Sequence, residues 1–268
     1  MLTAPVRRTF AATLAALSLI SVAPCASAAE LKVISAGAVR GVLRGMIDDY
    51  SRQTGHTFNF TIGSTGQLRA AIASGEAADL IIASSSLMGE LEQTGKMQAG
   101  SRVDVGRVGM GVVVRRGAAL PDVATPEALK QALIAAKSIA YTDPKLGGVS
   151  YLHLMKLATG FGIAADVTAK GVDATGGDDA VAKVADGAAE LAIVLISEIH
   201  SPGAQLVAPL PEPLQSWQIY AAAIPMSSRE PERAREFVAA LTGAAMRPRW
   251  DAAGWQLVVQ TTAGGQKH

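Results

Sequence analysis

The chain is predicted to fold as α/β with mostly parallel sheets, in two units that face each other. Three observations predict it. Short apolar strands alternate with amphipathic helices almost throughout. Four of the strand-to-helix turns are rich in glycine and small hydroxyl residues: Gly37-Ala38, Ser64-Thr65-Gly66, Gly147 to Ser150 and Gly176-Gly177. These turns fall into two groups, one on each side of the glycine-bearing strand VGMGVVV that starts at Val108. In parallel α/β sheets, ligands sit at the carboxyl ends of strands, against helix N-termini. Two groups of such turns are expected to meet across a cleft.

The chain in order supports each element. Arg7 and Arg8, the uncharged run Phe10 to Ala23 and the small-residue site Ala26-Ser27-Ala28 read as a secretory signal peptide over residues 1–28. Cleavage after Ala28 removes Cys25, the one cysteine, so neither a disulfide nor thiolate chemistry is expected in the mature chain. Of the 24 Lys and Arg, two leave with the signal, and 22 then face 23 Asp and Glu. That near-neutral balance argues against nucleic acid and against a polybasic membrane surface.

Leu31 to Ser35 is a strand, and Val39, Leu43, Met46, Ile47 and Tyr50 form the apolar stripe of the helix that follows, closed by Gly55. Thr57 to Thr61 is the next strand. Ser64 is placed to cap a helix, with Gln67 at the reach-back position of a capping box, and Gly75 ends that helix. Asp79 to Ala83 is a buried strand, and Ser85 or Ser86 is expected to cap the helix after it. Thr125-Pro126 opens another helix. Ser138 to Tyr141 and Val167 to Val172 read as strands, and Leu152, Leu154, Met155 and Leu157 lie on the helix between them. Glu190 to Leu195 and Gln218 to Ile224 are further strands. Ser227 or Ser228 is expected to cap a helix that buries Phe237, Val238 and Leu241, and a last helix runs from Ala244 to Ala252.

A strand feeding a Ser/Thr/Gly turn and a helix presents free backbone N–H groups and hydroxyls, which is the makeup of an anion or polar-ligand site. An ordinary capped helix has the same sequence signature. Asp178-Asp179 sits at a helix start, where favourable interaction with the helix dipole accounts for it. Arg69 is read as lying on the solvent side of its helix. His56, His153, His200 and His268 show no metal-ligand spacing, and His153 is read as a helix-surface residue, so neither a metal nor a cofactor is expected. Gly63-Ser64-Thr65-Gly66 does not fit a nucleophile elbow, and the glycine turns lack P-loop spacing, so no catalytic residue is expected.

Several stretches carry a family resemblance: LKVISAGAV, FTIGSTGQLRAAIASGEAADLIIAS, YTDPKLGGVS, AELAIVLISEI and REFVAALTGAAMRPRWDAAGW. The chain resembles periplasmic substrate-binding proteins of ABC transporters, and within them the molybdate-binding group. The resemblance implies a two-lobed type II periplasmic binding protein, each lobe a mostly parallel sheet flanked by helices, joined by two crossing strands. Lobe one would take residues 29–107 and 222–268, and lobe two residues 108–221. The ligand would be a tetrahedral oxyanion, molybdate or tungstate, held by neutral donors. The family's first-turn serine falls on Ala38 and its second-turn serine on Thr65, beside Ser64, and its two backbone N–H contacts fall on Val149 and Gly177. The expected ligand shell is then the backbone of Ala38, Val149 and Gly177 and the side chains of Ser64 and Thr65, with Ser150 beside them. Its tyrosine falls on Leu195. Ala38 and Leu195 supply no side-chain donor, so a small organic anion or other polar solute is the alternative ligand, and a secreted enzyme the third reading. The resemblance further implies a periplasmic monomer that delivers its solute to a permease and its ATPase.

Overall fold

The computed structural model describes residues 28–257. The expected export segment lies outside this range but for Ala28, and so does His268. The first lobe holds β1 (Glu30–Ala36), α1 (Arg40–Thr54), β2 (Thr57–Gly63), α2 (Thr65–Ala73), β3 (Leu80–Ser84), α3 (Ser85–Gln93) and β4 (Val103–Val108). The second holds β5 (Met110–Arg115), α4 (Pro126–Ala135), β6 (Ile139–Thr142), α5 (Val149–Gly160), α6 (Ala164–Ala169), β7 (Gly171–Ala174), α7 (Gly177–Asp186), β8 (Leu191–Leu195) and β9 (Ala204–Pro209). The chain then returns to the first lobe through β10 (Gln218–Ala223), α8 (Pro231–Thr242), α9 (Arg247–Ala252) and β11 (Trp255–Gln256).

The first sheet is ordered β11-β4-β10-β3-β1-β2 and the second β7-β6-β8-β5-β9. Each is mixed. β2, β1 and β3 run parallel, as do β7, β6 and β8, whereas β10 and β5 pair antiparallel to those triads. The antiparallel strands are those by which the chain enters a lobe from the other one. The parallel triads do what the alternation predicts: their carboxyl ends all feed turns into helices on the facing sides of the two lobes.

The first crossing is Gly109, between β4 and β5. The second runs through residues 210–217, because β10 lies wholly in the first sheet from Gln218 onward, ahead of the boundary expected at 222. Gln215 laces the two crossings together. Its Oε1 accepts from the Met110 N–H at 2.8 Å, and its Nε2 donates to the Met110 carbonyl at 3.0 Å. A side chain at position 109 would press on this amide.

The core explains why the C-terminal stretch returns to lobe one. Phe237 of α8 packs on Tyr50 and Phe58, and Trp250 of α9 meets Trp255 edge-on, which in turn meets Tyr220. Phe237, Trp250 and Trp255 are fully buried, and burial of rings of this size contributes several kcal/mol each, on the order of 3–5 by truncation. Asp79 fixes the same junction. Burial opposes its ionisation, but the N–H groups of Lys32, Arg229 and Glu230 and the Ser228 hydroxyl outweigh that and hold its carboxyl below the usual range.

Three local expectations change. Val167 to Val172 is not one strand: Val167 is buried within helix α6, where the surrounding alanines favour helix, and the strand begins at Gly171. The cap of α3 is Ser84, whose hydroxyl accepts from Leu87 N–H, rather than Ser85 or Ser86. α8 starts after Glu230 with no side-chain cap, because the Ser228 hydroxyl is drawn to Asp79.

Candidate functional site

Four strand ends and their turns close a cavity of about 190 Å³ between the lobes. Ala38, Ser64, Thr65, Val149, Ser150 and Gly177, the six residues singled out from the sequence, all line it. Leu195 does not; it is buried in the second lobe, at the end of β8. The tyrosine that does line the cavity is Tyr220 of β10, from the opposite lobe.

The helix N-termini differ in a way that matters for a ligand. α2 is fully capped: Ser64 accepts from Gln67 N–H, and the Gln67 side chain accepts from Ser64 N–H at 2.7 Å. α5 and α7 begin after Gly148 and Gly176 and have no side-chain cap. A helix that starts without a cap leaves its first N–H groups as donors, and here they face the cavity. The one O–H of Ser64 is committed elsewhere, donated across the cleft to the Leu146 carbonyl at 2.6 Å. In this conformation Ser64 therefore fastens the lobes, and Thr65, Ser150 and the backbone remain as neutral donors.

Titratable groups that the sequence reading left out complete the wall. Arg40, in the first turn of α1, pairs with Asp178 of α7 at 2.9 Å, an ion pair that spans the two lobes. The placement of Asp178 thus goes beyond the dipole of its own helix. Asp179 does behave as expected, accepting from Thr175 N–H and pairing with Lys183. Burial raises Asp178 above the ordinary carboxylate range, and Arg40 offsets only part of that; its Oδ1 is buried with no hydrogen-bond partner among the described residues.

Glu198 lies in the 3-10 turn after β8 and is 8% exposed. Burial, and then the neighbouring Asp178, push its carboxyl up to about 8, against the Leu195 N–H that bonds Oε2 at 3.1 Å and the more distant Arg40. The carboxyl packs directly on Gly177, where a Cβ would collide with it. Burial, and secondarily Glu198, also raise Tyr220. Glu198 went unnoticed because the apolar run AIVLISEI reads as a strand running into a surface turn; a glutamate directly after a parallel strand was the available signal.

The remaining candidates fall away from the cavity. Arg69 pairs with Glu90 on the surface. His153 is half-buried rather than on the helix surface: its Nε2 meets the Leu214 carbonyl at 2.8 Å, and burial lowers its pKa. Among the described residues no cluster of His, Cys, Asp and Glu is arranged to hold a metal.

Residues 31–256 match the family model described as a bacterial extracellular solute-binding protein. A curated relative from a Pseudomonas species, named aconitate isomerase, is 30% identical over 212 residues, spanning 76% of this chain and 79% of that protein. The periplasmic molybdate-binding protein of Azotobacter vinelandii superposes with a TM-score of 0.72 at 24% identity, over 85% of this chain and 99% of that one. The sulfate-binding protein SubI of Mycobacterium tuberculosis superposes with a TM-score of 0.68 at 15% identity, over 87% of this chain and 88% of that one. The architecture is the two-lobed one of type II periplasmic binding proteins, with molybdate-binding proteins among its structural neighbours.

Proposed function

Because this chain belongs to the bacterial extracellular solute-binding protein family, we propose that it captures a small organic anion with more than one carboxylate in the interlobe cleft. The observation that carries this reading is the cluster Arg40, Asp178 and Glu198 on the cavity wall. A guanidinium offers two parallel N–H donors to a carboxylate. Glu198, protonated over most of the neutral range, adds an O–H donor and no repulsion. The uncapped starts of α5 and α7 supply backbone donors for a second carboxylate. The name of the Pseudomonas relative, aconitate isomerase, supports a tricarboxylate as the class.

Molybdate or tungstate is the second reading, favoured by the fold and by the backbone of Ala38, Val149 and Gly177 around the cavity. Against it stands Ala38, which withholds a hydroxyl that a tetrahedral oxyanion would use, although Tyr220 keeps one in the wall. Each missing hydrogen bond to a charged ligand is worth roughly 1.5–3 kcal/mol. In either reading the protein acts in the periplasm after loss of residues 1–28, as a monomer, and passes its solute to an ABC permease and its ATPase. Among the described residues no helix is long and apolar enough to cross a membrane.

A thermal-shift series with trans-aconitate, citrate, molybdate, tungstate, sulfate and phosphate tests the choice. A ligand at about 100 times its Kd stabilises the folded state by about 2.7 kcal/mol, a readable rise in Tm. The tricarboxylates are expected to give that rise. A rise with molybdate and tungstate alone would replace the first reading by the second.

A further inference from the structure

We propose that Thr142 and Tyr220 join Ser150 in a hydroxyl cluster that takes one carboxylate of the bound anion, while Arg40 takes another. This rests on the carboxylate reading above and names the side chains that divide the ligand between them.

The three hydroxyls share one situation. Tyr220, Thr142 and Ser150 are 2%, 4% and 5% exposed, yet all three line the interlobe cavity. None of their oxygens has a hydrogen-bond partner among the described residues. Nor are they sealed off as Ser197 Oγ and Trp255 Nε1 are, which are buried without partners and do not line the cavity. Buried hydroxyls are as a rule bonded, because one left without a partner has given up water with no return. Three of them around one cavity point to an acceptor that the cavity receives. Packing holds each in place. Tyr220 stands on β10 with its ring edge-on to Trp255, 5.3 Å between centroids. Thr142 ends β6 and lies against the bare Cα of Gly148, where a Cβ would come within 2.7 Å of its Oγ1. Ser150 is in the first turn of α5, which has no side-chain cap. Burial keeps the Tyr220 phenol protonated, so it offers an O–H across the neutral range. Tyr220 comes from the first lobe and the other two from the second, so an anion bonded to both ties the lobes together.

The cluster suits one end of the ligand. A carboxylate has two oxygens and about four acceptor positions, which three hydroxyls and the N–H groups at the start of α5 can fill without a cation. Arg40, Asp178 and Glu198 stand elsewhere on the wall: they also border an outer groove of about 330 Å³ with Arg44 and His200, which the three hydroxyls do not line. The hydroxyls therefore mark the inner part of the cavity and Arg40 its outer edge. An anion that engages both needs at least two carboxylates on a short carbon chain.

The test is calorimetric titration of trans-aconitate into wild type, Tyr220→Phe, Thr142→Val and Arg40→Met, with the Tm of each ligand-free protein measured alongside. Tyr220→Phe and Thr142→Val are each expected to weaken binding at least about tenfold, the measure of a lost hydrogen bond to a charged group. Their ligand-free Tm is expected to stay level or rise, since neither hydroxyl has a partner in the protein to lose. Tyr220→Phe combined with Arg40→Met is expected to weaken binding by the product of the two separate factors, as for groups that hold different carboxylates. Tight binding that neither hydroxyl variant changes would overturn this inference and leave the capture reading intact. So would a lowered ligand-free Tm in both variants, which would give the hydroxyls a structural role. A double variant no weaker than the weaker single one would put both groups on one carboxylate and overturn the division. Absence of binding of trans-aconitate and of citrate to wild type would overturn the carboxylate reading as well.

Discussion

Glu198 carries opposing demands. Its carboxyl is buried beside Asp178, yet it stands in the wall of a polar cavity, and the outcome is a folded-state pKa of about 8 against an ordinary 4.5. The folded protein therefore holds a proton there that the unfolded chain releases between those values. The resulting stability is complete below about pH 4.5 and is lost as pH rises through 8. Glu198→Gln removes that dependence: in urea unfolding from pH 5 to 8.5, wild type should lose stability relative to the variant by up to about 1.4 kcal/mol per pH unit. Parallel curves would show that the carboxyl ionises normally. Arg40 acts at the same scale. Arg40→Met leaves the half-buried Asp178 without its partner and takes the guanidinium from the ligand, so carboxylate affinity should fall at least about tenfold by calorimetry. Neither residue was legible beforehand. An arginine after a turn and a glutamate after a strand are ordinary surface letters, and only the approach of the two lobes makes them neighbours.

At the scale of elements, the turns were legible because backbone chemistry writes them locally. Ser64 and Gln67 form the capping box that their spacing predicts, and Thr125-Pro126 opens α4 as predicted. The same locality explains the errors. Ser85, Ser86 and Ser227 are as good as caps on paper as Ser84, and Ser228 serves Asp79 from across the lobe. What no local pattern shows is that Ser64 fastens α2 to the second lobe through Leu146. Ser64→Ala should cost about 0.5–2 kcal/mol of stability as a lost cap, and the lost fastening should further favour an open cleft. Gly66→Ala separates the two effects. Its Cβ would run into the Leu146 carbonyl without touching the capping box, so ligand affinity should drop severalfold with little change in the stability of the ligand-free protein. Unchanged affinity in Gly66→Ala would mean that this contact is not part of the closed state. Gln215→Ala should loosen the crossings that the Gln215 amide laces at Met110, and faster amide exchange at Met110 is the readout.

For the whole molecule, alternation of strand and helix predicted the α/β class, and the division into two groups of turns predicted the cleft. The mixed sheets and the return crossing at residues 210–217 were not readable in the same way, because strand direction is set by which lobe the chain comes from. The resemblance placed a family's contacts on Ala38, Thr65, Val149 and Gly177, with Ser64 beside them, and these residues line one cavity. Its tyrosine did not transfer: Leu195 is core, and Tyr220, distant in sequence, stands in the wall instead. A cavity with neutral backbone donors and an added Arg40–Asp178–Glu198 cluster fits a fold shared with oxyanion binders and a chemistry suited to carboxylates. Calorimetric titration of trans-aconitate and of molybdate into wild type and Arg40→Met at pH 7 tests that division most directly. The predicted result is tight binding of trans-aconitate to wild type, weakened at least about tenfold in the variant, with molybdate binding weakly to both. Tight molybdate binding that is indifferent to Arg40, with trans-aconitate silent, would contradict it.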